Sequence, residues 1–207
     1  MSPRPVLSLL TPGAPAVNAA RRPSGPAGSP LNPVELLEYA RFVADEVLAG
    51  RYPVCYDQAR RWHQRLYRDR RVDLWLISWL PSQGTQLHDH GGSAGAYTVL
   101  TGELAEAIYR PGVAPRGWSQ PAAGPGSTLI ERRRPSGSGV GFGPHYVHDV
   151  RNLSATPAVS VHAYSPPLTV MNFYDVDEAG MLQKLASLPT EDPEPVLGPG
   201  VADTPAA

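Results

Sequence analysis

The chain has 207 residues, 42% of them hydrophobic and 18% charged, which is enough apolar material for one domain with a sizeable core. A formal charge of −1 argues against a broad nucleic-acid-binding face, and no apolar run approaches membrane-spanning length. The single cysteine, Cys55, cannot close an internal disulfide, so a reducing cytoplasm is the expected compartment.

Residues 1–31 mix Pro, Ala, Gly and Ser without apolar periodicity and read as a disordered tail. Its "RPVLSLLTPG" start is too short in apolar residues for a secretion signal, and Pro12 ends the run. Residues 189–207 read as a second such tail, leaving one domain over 32–188 with no internal repeat. The domain opens on "NPVELLEYARFVADEVLAGR": Asn32 is a good N-cap, Pro33 suits the first helical position, and Glu35 completes a capping box. Leu36, Leu37, Ala40, Val43, Val47 and Leu48 form the apolar stripe, and Gly50 ends the helix. The pattern allows a second helix over Tyr56–Arg68.

Beyond it the pattern changes to strands. "VDLWLISWL" is apolar on both faces and rich in β-branched and aromatic residues, so it reads as a buried strand. "AYTVLTG", "LAEAIYR", "AVSVHAYS" and "MNFYDV" are further short strands between Gly, Pro and Ser turns. The basic triplet Arg132, Arg133 and Arg134 reads as a solvated loop. Helices followed by many short strands predict a mainly β protein, an antiparallel barrel or sandwich with a short N-terminal helical segment.

The stretch "QLHDHGGSAGAYTVLTGEL" holds two histidines one residue apart. On a strand, His88 and His90 point to the same side, and neutral imidazoles bind Fe, Cu, Zn or Ni. A third ligand from a distant strand completes such a site, and His145, His148 and His162 are the conspicuous candidates. His88 and His90 followed by Gly102, and His148 followed by Asn152, resemble the two cupin motifs over about Val72 to Asp175. That resemblance selects His148, leaves His145 as a rim residue, and implies a cupin barrel. The glutamate of a generic cupin is missing, since its slot holds Ala94 or Gly95. Three neutral imidazoles leave a divalent metal its full charge and roughly three open positions, which favours anionic thiolate or carboxylate donors and leaves room for O₂.

"LHDHGGS", "VHDVRN" and above all "SVHAYSPPL" resemble the cysteine dioxygenase family, thiol dioxygenases of the cupin superfamily, in its bacterial form. The resemblance implies Fe(2+) held by His88, His90 and His148, with a relay of Ser160, His162 and Tyr164 beside it. Those last three alternate along one strand, so they share a face. Mammalian members cross-link a cysteine to the active-site tyrosine; the matching position here is Gly95, so no cross-link is expected. Cysteine-specific members clamp the substrate carboxylate with an arginine ahead of the first strand. In "RWHQRLYRD" the corresponding slot falls on Gln64, with Arg65 adjacent; glutamine there resembles 3-mercaptopropionate dioxygenases.

The expected function is therefore Fe(II)-dependent oxidation of a small thiol, foremost L-cysteine, to its sulfinic acid with O₂. The alternatives are a 3-mercaptopropionate dioxygenase and a metal-binding cupin without oxygenase activity, such as a sensor or storage protein. The expected partners are the thiol and O₂, with no nucleic acid and no membrane, and the chain is expected to act as a monomer.

Overall fold

The computed structural model describes residues 29–112 and 128–189. The tails expected over 1–31 and 189–207 lie largely outside the described residues. At the inner edge of the first, Leu31 is buried, and its N–H donates to Ser165 Oγ at 2.8 Å.

Helix α1 (Pro33–Leu48) starts as its sequence dictates: Asn32 accepts from the Val34 and Glu35 amides while Glu35 reaches back to the Asn32 amide. This capping box is typically worth about 1 kcal/mol. Leu36, Tyr39, Ala40, Val43, Ala44 and Val47 are buried, whereas Leu48, placed on the expected stripe, is exposed. Gly50, at φ +78°, ends the element in the left-handed region.

The second expected helix does not form. Residues 62–68 make strand β1 (Trp62–Arg68), antiparallel to β2 (Asp73–Trp79). The ladder to β2 and the packing of Trp62, Leu66 and Tyr67 into the core outweigh a weak helical period.

The remaining strands are β3 (His88–Asp89), β4 (Ala94–Thr101), β5 (Glu103–Arg110), β6 (Thr128–Pro135), β7 (Gly139–Phe142), β8 (His148–Arg151), β9 (Ala158–Ser165), β10 (Val170–Val176) and β11 (Leu182–Pro189). They form two sheets, ordered β1-β2-β9-β4-β7 and β11-β10-β3-β8-β5-β6. The expected mainly β cupin architecture, a double-stranded β-helix with one N-terminal helix, is the one adopted. The basic triplet is not a loop: Arg132, Arg133 and Arg134 lie in β6, and Arg134 is partly buried.

The registers sort the first sheet's residues into two faces. Directly opposed residues share a face, so Leu76, Val161 and Thr98 point one way and Trp75, His162 and Tyr97 the other. The first face packs under α1, where Leu36, Ala40 and Val43 meet Leu74, Leu76 and Val161. Each of these leucines and valines, fully buried, contributes roughly 1.5–3 kcal/mol. The second face encloses an aromatic layer of Trp75, Trp79, Tyr97, Phe142, Tyr164 and Phe173, and the histidines project into this interior.

Candidate metal centre

Short as it is, β3 is firmly fixed. His88 lies directly opposite His148 on one side and Phe173 on the other. Asp89, between the two histidines, points away from them. It accepts from the Gly91 amide at 2.8 Å, Asn172 Nδ2 at 2.7 Å and the Tyr174 hydroxyl at 2.6 Å, which ties the segment to β10. The small residues that follow have a steric cause. Gly91 has φ +58°, and a Cβ there would lie 2.5 Å from the Val170 carbonyl oxygen.

His88, His90 and His148 are fully buried, and one ligand nitrogen from each lies within 4.8 Å of the other two. His88 Nδ1 sits 2.7 Å from the Gln86 carbonyl and His148 Nδ1 2.8 Å from Glu106 Oε1. Those acceptors place the proton on Nδ1 and leave Nε2 as the lone-pair donor. Nε2 of His90 and of His148 is buried without a hydrogen-bond partner. Burial first, then neighbouring imidazoles, pushes His88 and His90 well below the usual histidine range, so both stay neutral. Buried imidazoles that bring one nitrogen each to a common point fit a divalent transition metal. This cluster could hold such an ion. His145 is exposed and outside it.

The relay residues are brought together on the same interior face. Ser160 Oγ lies 2.9 Å from His162 Nε2, and His162 Nδ1 lies 3.2 Å from the Tyr164 hydroxyl. The sequence did not indicate a fourth member, Trp79, whose indole N–H donates to Ser160 Oγ at 2.9 Å. An indole can only donate, so the serine proton turns to His162 Nε2. The imidazole proton is then on Nδ1 and is donated to Tyr164 Oη, which leaves the tyrosine's own proton to point onward. His162 holds to the neutral form because burial first, then the neighbouring His148 imidazole and the Arg61 guanidinium, depresses its pKa to about 3.

Gly95 lies directly opposite Tyr164. A Cβ at Gly95 would come within 2.4 Å of the Phe142 ring and 3.2 Å of Tyr164. Phe142 fills that space and stacks on His90 with centroids 5.1 Å apart, while His90 and Tyr164 lie 4.9 Å apart.

The two substrate-facing candidates part company. Gln64 is opposite Leu76, on the helix-facing side of the sheet, away from the histidines. Arg65 is opposite Trp75 on the interior side, where its guanidinium lies 4.3 Å from the Trp75 ring and 3.2 Å from the buried carboxylate of Asp73. Arg61, just ahead of β1, also reaches the interior side. It covers the Trp79 ring at 5.1 Å and donates to the Gly84 carbonyl at 2.6 Å. Its charge acts on both His88 and His162, disfavouring their protonated forms.

The model of the family "Cysteine dioxygenase type I" matches residues 40–177. A zebrafish (Danio rerio) cysteine dioxygenase type 1 is 28% identical over 113 residues, which is 51% of this chain and 50% of that protein. The chain thus spans about half the length of this curated relative. Among solved structures, a Thermus thermophilus protein has a TM-score of 0.44 and 22% identity, covering 55% of this chain and 90% of that one. A Klebsiella pneumoniae protein with a double-stranded β-helix domain has a TM-score of 0.41 and 19% identity, covering 68% of this chain and 95% of that one. The match across two thirds of the sequence, over the strands that carry the histidines and the relay, makes the chain a member of the cysteine dioxygenase type I family.

Proposed function

We propose that the protein is an Fe(II)-dependent dioxygenase that oxidises a small thiol, foremost L-cysteine, to its sulfinic acid with O₂. The observation that carries this reading is the set of three buried imidazoles with no carboxylate among them, beside a directed Ser160–His162–Tyr164 relay. His88, His90 and His148 would hold the iron(II), which would supply Lewis acidity towards a thiolate and redox chemistry towards O₂. The reaction balances without a co-substrate: sulfur gives up four electrons, O₂ accepts them, and both oxygen atoms end on sulfur.

The chain's own residues bind and orient. A substrate bearing a thiolate and a carboxylate suits the positive charge of a metal on three neutral ligands together with Arg61. We assign Arg61 as the carboxylate anchor in preference to Gln64, which lies on the other face of β1, and Arg65, which is held by Asp73. Tyr164, its hydroxyl fixed by His162, directs a proton towards the reacting atoms. The aromatic walls of Trp75, Trp79, Tyr97 and Phe142 exclude water from them.

The test is O₂ consumption and sulfinate formation by the iron-loaded full chain, with kcat/KM measured for L-cysteine and 3-mercaptopropionate. A charge-assisted bond to carboxylate is worth about 1.5–3 kcal/mol. Arg61→Met is therefore expected to lower kcat/KM for both thiols roughly ten- to hundredfold, chiefly through KM. If Gln64→Ala or Arg65→Ala does so and Arg61→Met does not, the carboxylate is held at that position instead. A wild-type preference for 3-mercaptopropionate would move the substrate to that thiol. Absence of O₂ uptake with either would favour a metal-binding cupin without oxygenase activity.

A further inference from the structure

The carboxylate missing from the cluster is present one residue further out. Glu106, in the middle of β5, is fully buried and shares the interior face with Leu104 and Ile108. Its Oε1 lies 2.8 Å from His148 Nδ1 and accepts the Tyr146 hydroxyl at 3.1 Å; its Oε2 accepts Arg134 Nε at 2.8 Å. A buried carboxylate with only a structural purpose needs one charge partner, and Arg134 supplies it. The other oxygen is given to a histidine of the cluster.

We infer that Glu106 is a positioning residue for the metal centre: it fixes the Nδ1–H tautomer and ring orientation of His148 and makes its Nε2 a stronger donor than that of His88. The contrast lies within the cluster itself. His88 Nδ1 meets a neutral backbone carbonyl at Gln86, whereas His148 Nδ1 meets a carboxylate at a similar distance. A carboxylate that accepts the imidazole proton shifts electron density onto the ligating nitrogen. Negative charge that a glutamate ligand would bring directly would instead reach a bound metal through His148. Arg134, from the basic triplet, and Tyr146 keep the carboxylate aimed at the ring. The inference rests on the reading of the three histidines as a metal centre, but not on the reaction carried out there.

The experiment titrates Co(II) into the metal-free full chain against a competing chelator, comparing wild type, Glu106→Gln and the double variant Glu106→Gln/Arg134→Gln. The double variant removes both members of the buried pair, so no lone charge is left inside. Loss of such an outer partner typically weakens metal binding roughly 10–100-fold, and that loss is expected in both variants, with a changed Co(II) ligand-field spectrum. Wild-type affinity and spectrum in either folded variant would overturn the inference, even with a lowered melting temperature, because a merely structural role predicts only the latter. A measurement on wild type stands independently of how the variants fold. In the ¹⁵N-labelled, Zn(II)-loaded chain, the His148 Nδ1 proton should be protected from exchange and lie downfield of the His88 Nδ1 proton. A His148 Nδ1 that carries no proton would equally overturn it. Neither readout requires turnover, so a chain that oxidised no thiol would leave this test intact.

Discussion

His88→Ala, His90→Ala and His148→Ala are each expected to lose most bound iron, whereas His145→Ala retains it. Removing one imidazole removes a third of the protein's donors, so the loss should exceed the roughly 10–100-fold cost of deleting a partner behind a ligand. His145 makes a sharp control because it lies only three residues from His148 on the same segment, yet is exposed and outside the cluster. Metal analysis of the four purified variants decides it. If His145→Ala were depleted and His148→Ala loaded, the third ligand would be misassigned.

Tyr164→Phe should keep its iron and lose rate. The substitution deletes a single oxygen from a fully buried side chain, so the fold and the three imidazoles are left in place. What disappears is the hydroxyl 3.2 Å from His162 Nδ1, which under the proposed function offers its proton to the reacting atoms. Loss of one positioned donor to developing charge typically costs about 10²–10³ in kcat. Steady-state kinetics on the iron-replete variant tests this, and an unchanged kcat would remove Tyr164 from the mechanism. Ser160→Ala should cost less, because it only loosens the orientation of His162.

The sequence carried the parts of this account that depend on period and local chemistry. The capping box at Asn32, the two-sided burial of residues 73–79 and the shared face of Ser160, His162 and Tyr164 are all short-range facts. What could not be read depended on which strand lies beside which. The aromatic content of residues 62–68 suits a strand as well as a helix, and only pairing with β2 decides between them. That pairing also sets which of Arg61, Gln64 and Arg65 face the histidines. Arg132 and Arg133 are exposed as expected, but the burial of Arg134 could not be read because its partner, Glu106, is 28 residues away in sequence. A signal for Glu106 did exist: a carboxylate at an inward position between Leu104 and Ile108 demands a buried partner. Trp79 carried a similar signal, since a buried indole N–H needs an acceptor.

The most direct test of the central claim is to run the iron-loaded protein with L-cysteine under ¹⁸O₂ and weigh the product by mass spectrometry. A dioxygenase places both atoms of one O₂ on sulfur, so the sulfinate should carry two ¹⁸O atoms, with none appearing when the label is in water. A product with a single labelled oxygen, or with oxygen drawn from water, would contradict the dioxygenase reading of the three-histidine site.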